Sequence, residues 1–183
     1  MGPFPAANTR RIYEGRVINL RIDSLDVGDG REVQREIVEH PGAVVIAALD
    51  EQGRVLMVRQ YRHAAGESLL ELPAGTMELN EEPAATAARE LQEETGYSAG
   101  ELRPAGGYFS APGFCTEFLH LFIARKLKPQ RLQGDEDEEI ELEAVGLDEV
   151  SGLILSGAIK DAKTIAGLFV LGLTLAGGAA TLA

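Results

Sequence analysis

Along the chain, the spacing of hydrophobic positions changes period several times, and each change marks a predicted element. From Arg11 to Asp26, Ile12, Val17, Leu20, Ile22 and Leu25 are interleaved with charges in a strand-like way, behind a Pro-containing lead (residues 1–10) that reads as frayed. Asp29-Gly30 is a hairpin signal, and Arg31 to Glu39 returns as a second strand. These strands define an N-terminal β extension over residues 1–41, ahead of a main domain over residues 42–183. A two-stranded unit is marginal alone, so the extension must pack, either on its own domain or on a partner subunit. Ala43 to Leu49 is a continuous apolar run suited to a strand buried on both faces, and Arg54 to Tyr61 is expected to pair back on it as a hairpin. Ser68 to Leu72 reads as a brief strand. Beyond it the period becomes 3.6: Glu81-Glu82-Pro83 opens a helix with acids in its first turn, Ala84, Ala87, Ala88 and Leu91 form its apolar face, and Gly96 ends it. Leu102 to Phe109, Glu117 to Leu127 and Ile140 to Val145 read as strands, and Asp148 to Leu155 and Ile159 to Leu175 as helices.

Composition narrows the function. The length of 183 residues suits one compact domain with a small extension, and the formal net charge of -12 with a pI near 4.7 argues against nonspecific binding to nucleic acid or an anionic membrane. A phosphate-bearing ligand must therefore be met by metal and a few placed arginines. The single Cys115 excludes an intramolecular disulfide and fits a reducing cytoplasm. The start, MGPFPAANTRR, lacks the long apolar run of a signal peptide. Thr164 to Ala183 carries no charge and reaches the length of a membrane span, but its small residues and Gly177-Gly178 pair read better as a core helix with a ragged tail.

The chemistry concentrates between Gly75 and Tyr97, GTMELNEEPAATAARELQEETGY. Advancing about 100° per residue, Glu90, Glu93 and Glu94 share one helix face. Like charges at that spacing repel unless a cation sits between them, and hard divalent ions such as Mg²⁺, with Mn²⁺ as the alternative, suit an all-oxygen donor set. Arg89, four residues before Glu93, is placed to brace it. Arg59 and Arg62 stand near a strand end, where a planar fork can hold two phosphate oxygens; an ordinary surface ion pair is the other reading of each. Glu71, just ahead of the loop, is either a site residue or an exposed strand acid, and Tyr13 and Tyr61 are either nucleoside contacts or structural tyrosines. His63 next to a loop reads as neither ligand nor base. A second acidic run, Gly134 to Glu143, is a solvated loop by composition alone, although the strand pattern after it would anchor it beside a site.

Gly75, Glu81, Arg89, Glu90, Leu91, Glu93, Glu94, Gly96 and Tyr97 stand where the Nudix box specifies them, and the chain resembles the Nudix family from about residue 11 to 172. Pro112, fifteen residues past Tyr97, and the stretch LLELPAG before the box resemble its ADP-ribose pyrophosphatase branch. The resemblance implies an α/β fold, an α/β/α sandwich with a mixed sheet and a small N-terminal strand extension, and a homodimer in which those strands cross to the partner. It implies metal bound by Glu90, Glu93, Glu94, the Ala74 carbonyl and Glu138, with Glu136 as the base and Glu93 second. Pro112 and Gly113 then join Arg59, Arg62, Glu71 and Tyr13 as substrate contacts. The implied reaction is Mg²⁺-dependent hydrolysis of ADP-ribose, or a similar nucleoside diphosphate sugar, to AMP and ribose 5-phosphate. A dinucleoside polyphosphate or a GDP-sugar is the alternative substrate, and a nucleotide-sensing binding module the alternative class.

Overall fold

The computed structural model describes residues 6–133 and 139–177. The chain divides into two units, one of Met1–Gly42 with Phe109–Phe118 and one of Ala43–Tyr108 with Leu119–Ala183.

The first unit holds an antiparallel sheet of β1 (Ala6–Glu14), β2 (Asn19–Asp26) and β3 (Glu32–Glu39), in that order. The stretch expected as one strand from Arg11 to Asp26 is two, because the chain turns at Gly15, whose N–H donates to the Ile18 carbonyl at 3.0 Å and to Asn19 Oδ1 at 3.2 Å. A β-carbon at Gly15 would lie 2.9 Å from the Ile18 backbone carbonyl oxygen as well as against the Tyr13 ring, so this turn favours glycine. Pairing starts at Ala6, opposite Leu25, so the lead is ordered from there rather than frayed through residue 10. The β2–β3 hairpin turns at Asp29 and Gly30, both left-handed (φ 56° and 69°), as a type I′ turn demands. The 109–118 loop docks on β3: Val38 N–H donates to the Phe114 carbonyl at 2.8 Å, and Thr116 N–H to the Val38 carbonyl at 2.9 Å.

The second unit is built on a mixed sheet ordered β10-β5-β4-β9-β8, with β6 added on β5 and β7 on β4. Its strands are β4 (Ala43–Leu49), β5 (Val55–Arg62), β6 (Glu67–Glu71), β7 (Ala74–Thr76), β8 (Tyr97–Phe109), β9 (Phe118–Pro129) and β10 (Ile140–Val145). β4 runs parallel to β9 and antiparallel to β5 and β7. The expected β4–β5 hairpin is only two pairs long, Ala48 with Leu56 and Leu49 with Val55. The strands then part: β7 takes the first half of β4, and β6 the second half of β5. Leu72-Pro73 crosses between those edges, and the Pro73 carbonyl accepts from Ile46 N–H at 2.8 Å.

Side chains of β4 alternate between two apolar layers, as a strand buried on both faces must. Val45, Ala47 and Leu49 join Met57, Leu70 and Leu72 beneath α3 (Ala162–Ala176), which contributes Leu168 and Leu171. Val44, Ile46 and Ala48 join Leu56, Phe122 and Ala124 beneath α1 (Pro83–Glu90) and the turn after it, through Ala87 and Leu91. The result is the expected three-layer α/β/α arrangement. A short α2 (Val150–Leu155) precedes α3, which starts at Ala162 rather than Ile159 because Asp161 caps it, accepting from Thr164 N–H at 2.9 Å. Among the described residues no helix is long and apolar enough to cross a membrane.

Candidate active site

The loop from β7 and the helix that follows gather the carboxylates. Glu81 and Glu82 lie before α1 rather than in its first turn; Pro83 opens the helix, and a Glu81 carboxylate oxygen accepts from Glu78 N–H at 3.1 Å. Ala84 is exposed, and Thr86 takes its place beside Ala87 in the buried face. The helix does not run on as α to Gly96: Leu91–Thr95 is a π turn, in which the Thr95 hydroxyl donates to the Leu91 carbonyl, and Gly96 closes it at φ 78°. The wider turn separates the two last glutamates. Glu94 is swung inward, 8% exposed, and accepts from Ala74 N–H at 3.0 Å, while Glu93 stays beside Arg89.

Arg89 is the hub of this cluster. Its Nη1 donates to Glu90 at 2.7 Å and Glu93 at 2.8 Å, and its Nη2 and Nε to Glu81 at 3.2 and 3.3 Å. Burial works against the Arg89 charge, yet Glu81, Glu90 and Glu93 together hold its pKa above the ordinary guanidinium value. The Arg89 hydrogen bonds, outweighing burial, lower the Glu81 carboxyl below the usual carboxylate range. Gly75 makes room for the arrangement: a β-carbon there would overlap the Glu90 carboxyl group.

Three carboxylates, Glu81, Glu90 and Glu93, thus share one cationic side chain, a formal excess of two negative charges, and a fourth, Glu94, is held by the Ala74 N–H in the same partly buried segment. That excess, the all-oxygen donor set and the bare backbone at Gly75 fit hard divalent cations. Among the described residues no three of these groups already converge as a ready-made ligand set, since Arg89 spreads Glu81, Glu90 and Glu93 around itself. Glu136 and Glu138 lie outside the described residues.

Arg59 and Arg62 do not share a face, because side chains three residues apart on a strand point to opposite sides. Arg59 bonds Glu143 of β10 at 2.6 Å, and that contact, outweighing burial, raises its pKa. Arg62 reaches across to β6 and grips Glu71 through Nη2 at 2.8 Å and Nε at 3.1 and 3.3 Å. Glu71 is not the exposed strand acid: its side chain is 1% exposed. It also takes Lys163 from α3, a partner 92 residues away that no local pattern announces. Tyr61 and His63 are exposed at the end of β5 and just beyond. Tyr13 in β1, and Pro112 and Gly113 in the 109–118 loop, belong to the first unit, with Tyr13 56% exposed.

A three-layer α/β fold that presents a glycine-backed cluster of glutamates around one arginine suits metal-assisted hydrolysis. The NUDIX domain model matches residues 38–168, and the chain belongs to the Nudix family, whose hydrolases generally use divalent metal ions. It is 40% identical over 156 residues, 84% of each chain, to an ADP-ribose pyrophosphatase of Bacillus subtilis. It is 40% identical over 159 residues, 86% of each chain, to a methanol dehydrogenase activator of Bacillus methanolicus. The fold also superposes on the crystal structure of an ADP compounds hydrolase with a TM-score of 0.87, at 22% identity, covering 99% of this chain and 98% of the other.

Proposed function

We propose that this protein is a Mg²⁺-dependent pyrophosphatase that hydrolyses ADP-ribose, or a closely similar nucleoside diphosphate sugar, to AMP and ribose 5-phosphate. The observation that carries the reading is the carboxylate excess around Arg89, packed over Gly75. Its similarity to an ADP-ribose pyrophosphatase over 84% of both chains supports the substrate class. The reading includes a homodimer in the cytoplasm, with residues 1–41 as an extension of a catalytic domain over residues 42–183.

Glu90, Glu93, Glu94 and the Ala74 carbonyl would hold the metal, with Glu138 completing the set. When bound, divalent ions neutralise the phosphate charge that repels a nucleophile and make water a better one. Arg89 keeps Glu90 and Glu93 within the cluster through its Nη1. Arg62, its fork oriented by buried Glu71, holds phosphate oxygens of the substrate. Arg59 holds β10 through Glu143 instead. Water adds across the P–O–P link, its proton passing to Glu136 or, second, Glu93, and the bridging oxygen leaves with one phosphate. Tyr13 remains a proposed nucleoside contact, and Pro112 and Gly113 proposed substrate contacts.

The test is a product assay on purified protein with ADP-ribose, GDP-mannose, diadenosine polyphosphates and NADH, with Mg²⁺ and with chelator. Metal-dependent AMP release, fastest from ADP-ribose, is expected. Tight ADP-ribose binding without any hydrolysis would establish a sensor and overturn the enzyme reading.

A further inference from the structure

The polar tetrad Asp161-Ala162-Lys163-Thr164 at the head of the apolar α3 takes no part in the chemistry above. A helix start needs one cap, which Asp161 supplies. Here the next residues are pinned as well: Thr164 Oγ1 accepts from Leu72 N–H at 2.8 Å, and the Lys163 carbonyl accepts from the Tyr108 hydroxyl at 2.7 Å. The start of α3 is therefore tied through Thr164 to the segment that leads from Glu71 into the box, and through the Lys163 carbonyl to β8.

The side chain shows what this placement does. Lys163 Nζ donates to Glu71 Oε2, the same oxygen that accepts from Arg62 Nη2, and its other partner is Asp161 at 3.0 Å. Arg62, Glu71, Lys163 and Asp161 form an alternating row of charges. Burial opposes ionisation of Asp161, but Lys163 and Thr164 more than offset it, so its pKa lies below the usual carboxylate range. Because Glu71 is buried, its charge is poorly screened, and a single cation on it would be neutralised almost entirely. A second cation on Oε2 divides that charge.

We propose that Lys163 is a positioning residue for substrate: by sharing Glu71 Oε2 with Arg62, it keeps the Arg62 guanidinium oriented yet still electropositive toward the substrate's phosphate oxygens. This rests on the reading of Arg62 as a phosphate contact.

Steady-state kinetics with ADP-ribose test it. K163M is expected to raise KM about tenfold with kcat within about twofold, because the lost attraction acts on bound substrate and transition state alike. K163R restores KM to within about twofold, since it returns the charge. D161N keeps an N-cap and removes the competing anion, so it does not raise KM. In an E71Q background K163M has no further effect on KM, and this pair leaves no unpaired buried carboxylate should K163M alone fold poorly. An unchanged KM in K163M, an equal rise in D161N, or a K163M effect that persists in E71Q would each overturn the proposal. R62A is the control: if it leaves KM unchanged, the Arg62 reading itself fails, whereas a rise in R62A without one in K163M removes only the role of Lys163.

Discussion

Replacing Gly75 by Ala separates the geometry of the glutamate cluster from the stability of the fold. Gly75 is not in the left-handed region, so alanine meets no backbone penalty there and restricts the unfolded chain slightly. The obstacle is the Glu90 carboxyl group, which lies where the new β-carbon would be. That group is the far end of a flexible side chain, so it can move aside. We expect a stability change of no more than about 1 kcal/mol. The movement must be roughly 1–1.5 Å, and misplacement on that scale costs on the order of 10²-fold in rate, or about 2.7 kcal/mol. It also breaks the 2.7 Å bond from Arg89 to Glu90. The assay is kcat for AMP release at saturating Mg²⁺, with thermal melting of the same samples. Gly75→Ala should lose about as much rate as Glu90→Gln, and the double variant should lose no more than either, because both act through one carboxylate. A Gly75→Ala enzyme with wild-type kcat, or a double variant whose losses multiply, would refute the reasoning.

Glu94→Gln should leave the fold intact, since an amide oxygen can still accept from Ala74 N–H, while AMP release drops by at least about 10²-fold; an active variant would remove Glu94 from the metal set. Gly167→Ala places a β-carbon 2.7 Å from Leu72 Cδ1 in the core under α3, and overpacking there should outweigh the helix propensity gained, destabilising by about 1–2 kcal/mol in denaturant unfolding. Asp161 has a folded pKa below its ordinary 3.8, so its contribution is complete above that value and is lost as pH falls below it through the folded pKa. Melting temperatures measured from pH 7 down to pH 3 should therefore show a loss below about pH 4 that is smaller in Asp161→Asn than in wild type.

The box was legible because everything it needs lies in one continuous segment. Its helix face, its proline start and its glycine stop are all local, and Gly96 takes the left-handed conformation that a C-cap requires. The run Ala43 to Leu49 was equally readable, since a strand buried on both faces has no alternation to misread. The π turn was not, because inserting one residue into a helix leaves the apolar period nearly unchanged while moving Glu94 inward. The break at Gly15 was hidden by apolar residues on both sides that suit a strand equally well. The parity of Arg59 and Arg62 was visible along the strand and was the available signal that the two cannot serve one face.

What no local pattern can carry is a partner choice made across the fold. The register of β6 puts Glu67 directly opposite Arg62, yet the Arg62 guanidinium meets Glu71, which lies opposite Val58. That register follows from the parting of β4 and β5, which in turn needs β7 to occupy the vacated edge of β4. The same crossing segment, Leu72-Pro73, hands Ala74 to Glu94 at one end and Glu71 to Arg62 and Lys163 at the other. In a chain of net charge -12, the three cations of this region are thereby fixed by long-range topology onto carboxylates, two of them on Glu71 and one amid the box glutamates. Attraction for an anionic substrate cannot then come from free positive side chains alone. It depends on how those ion pairs divide their charge and on the divalent ions that the excess carboxylates are suited to hold.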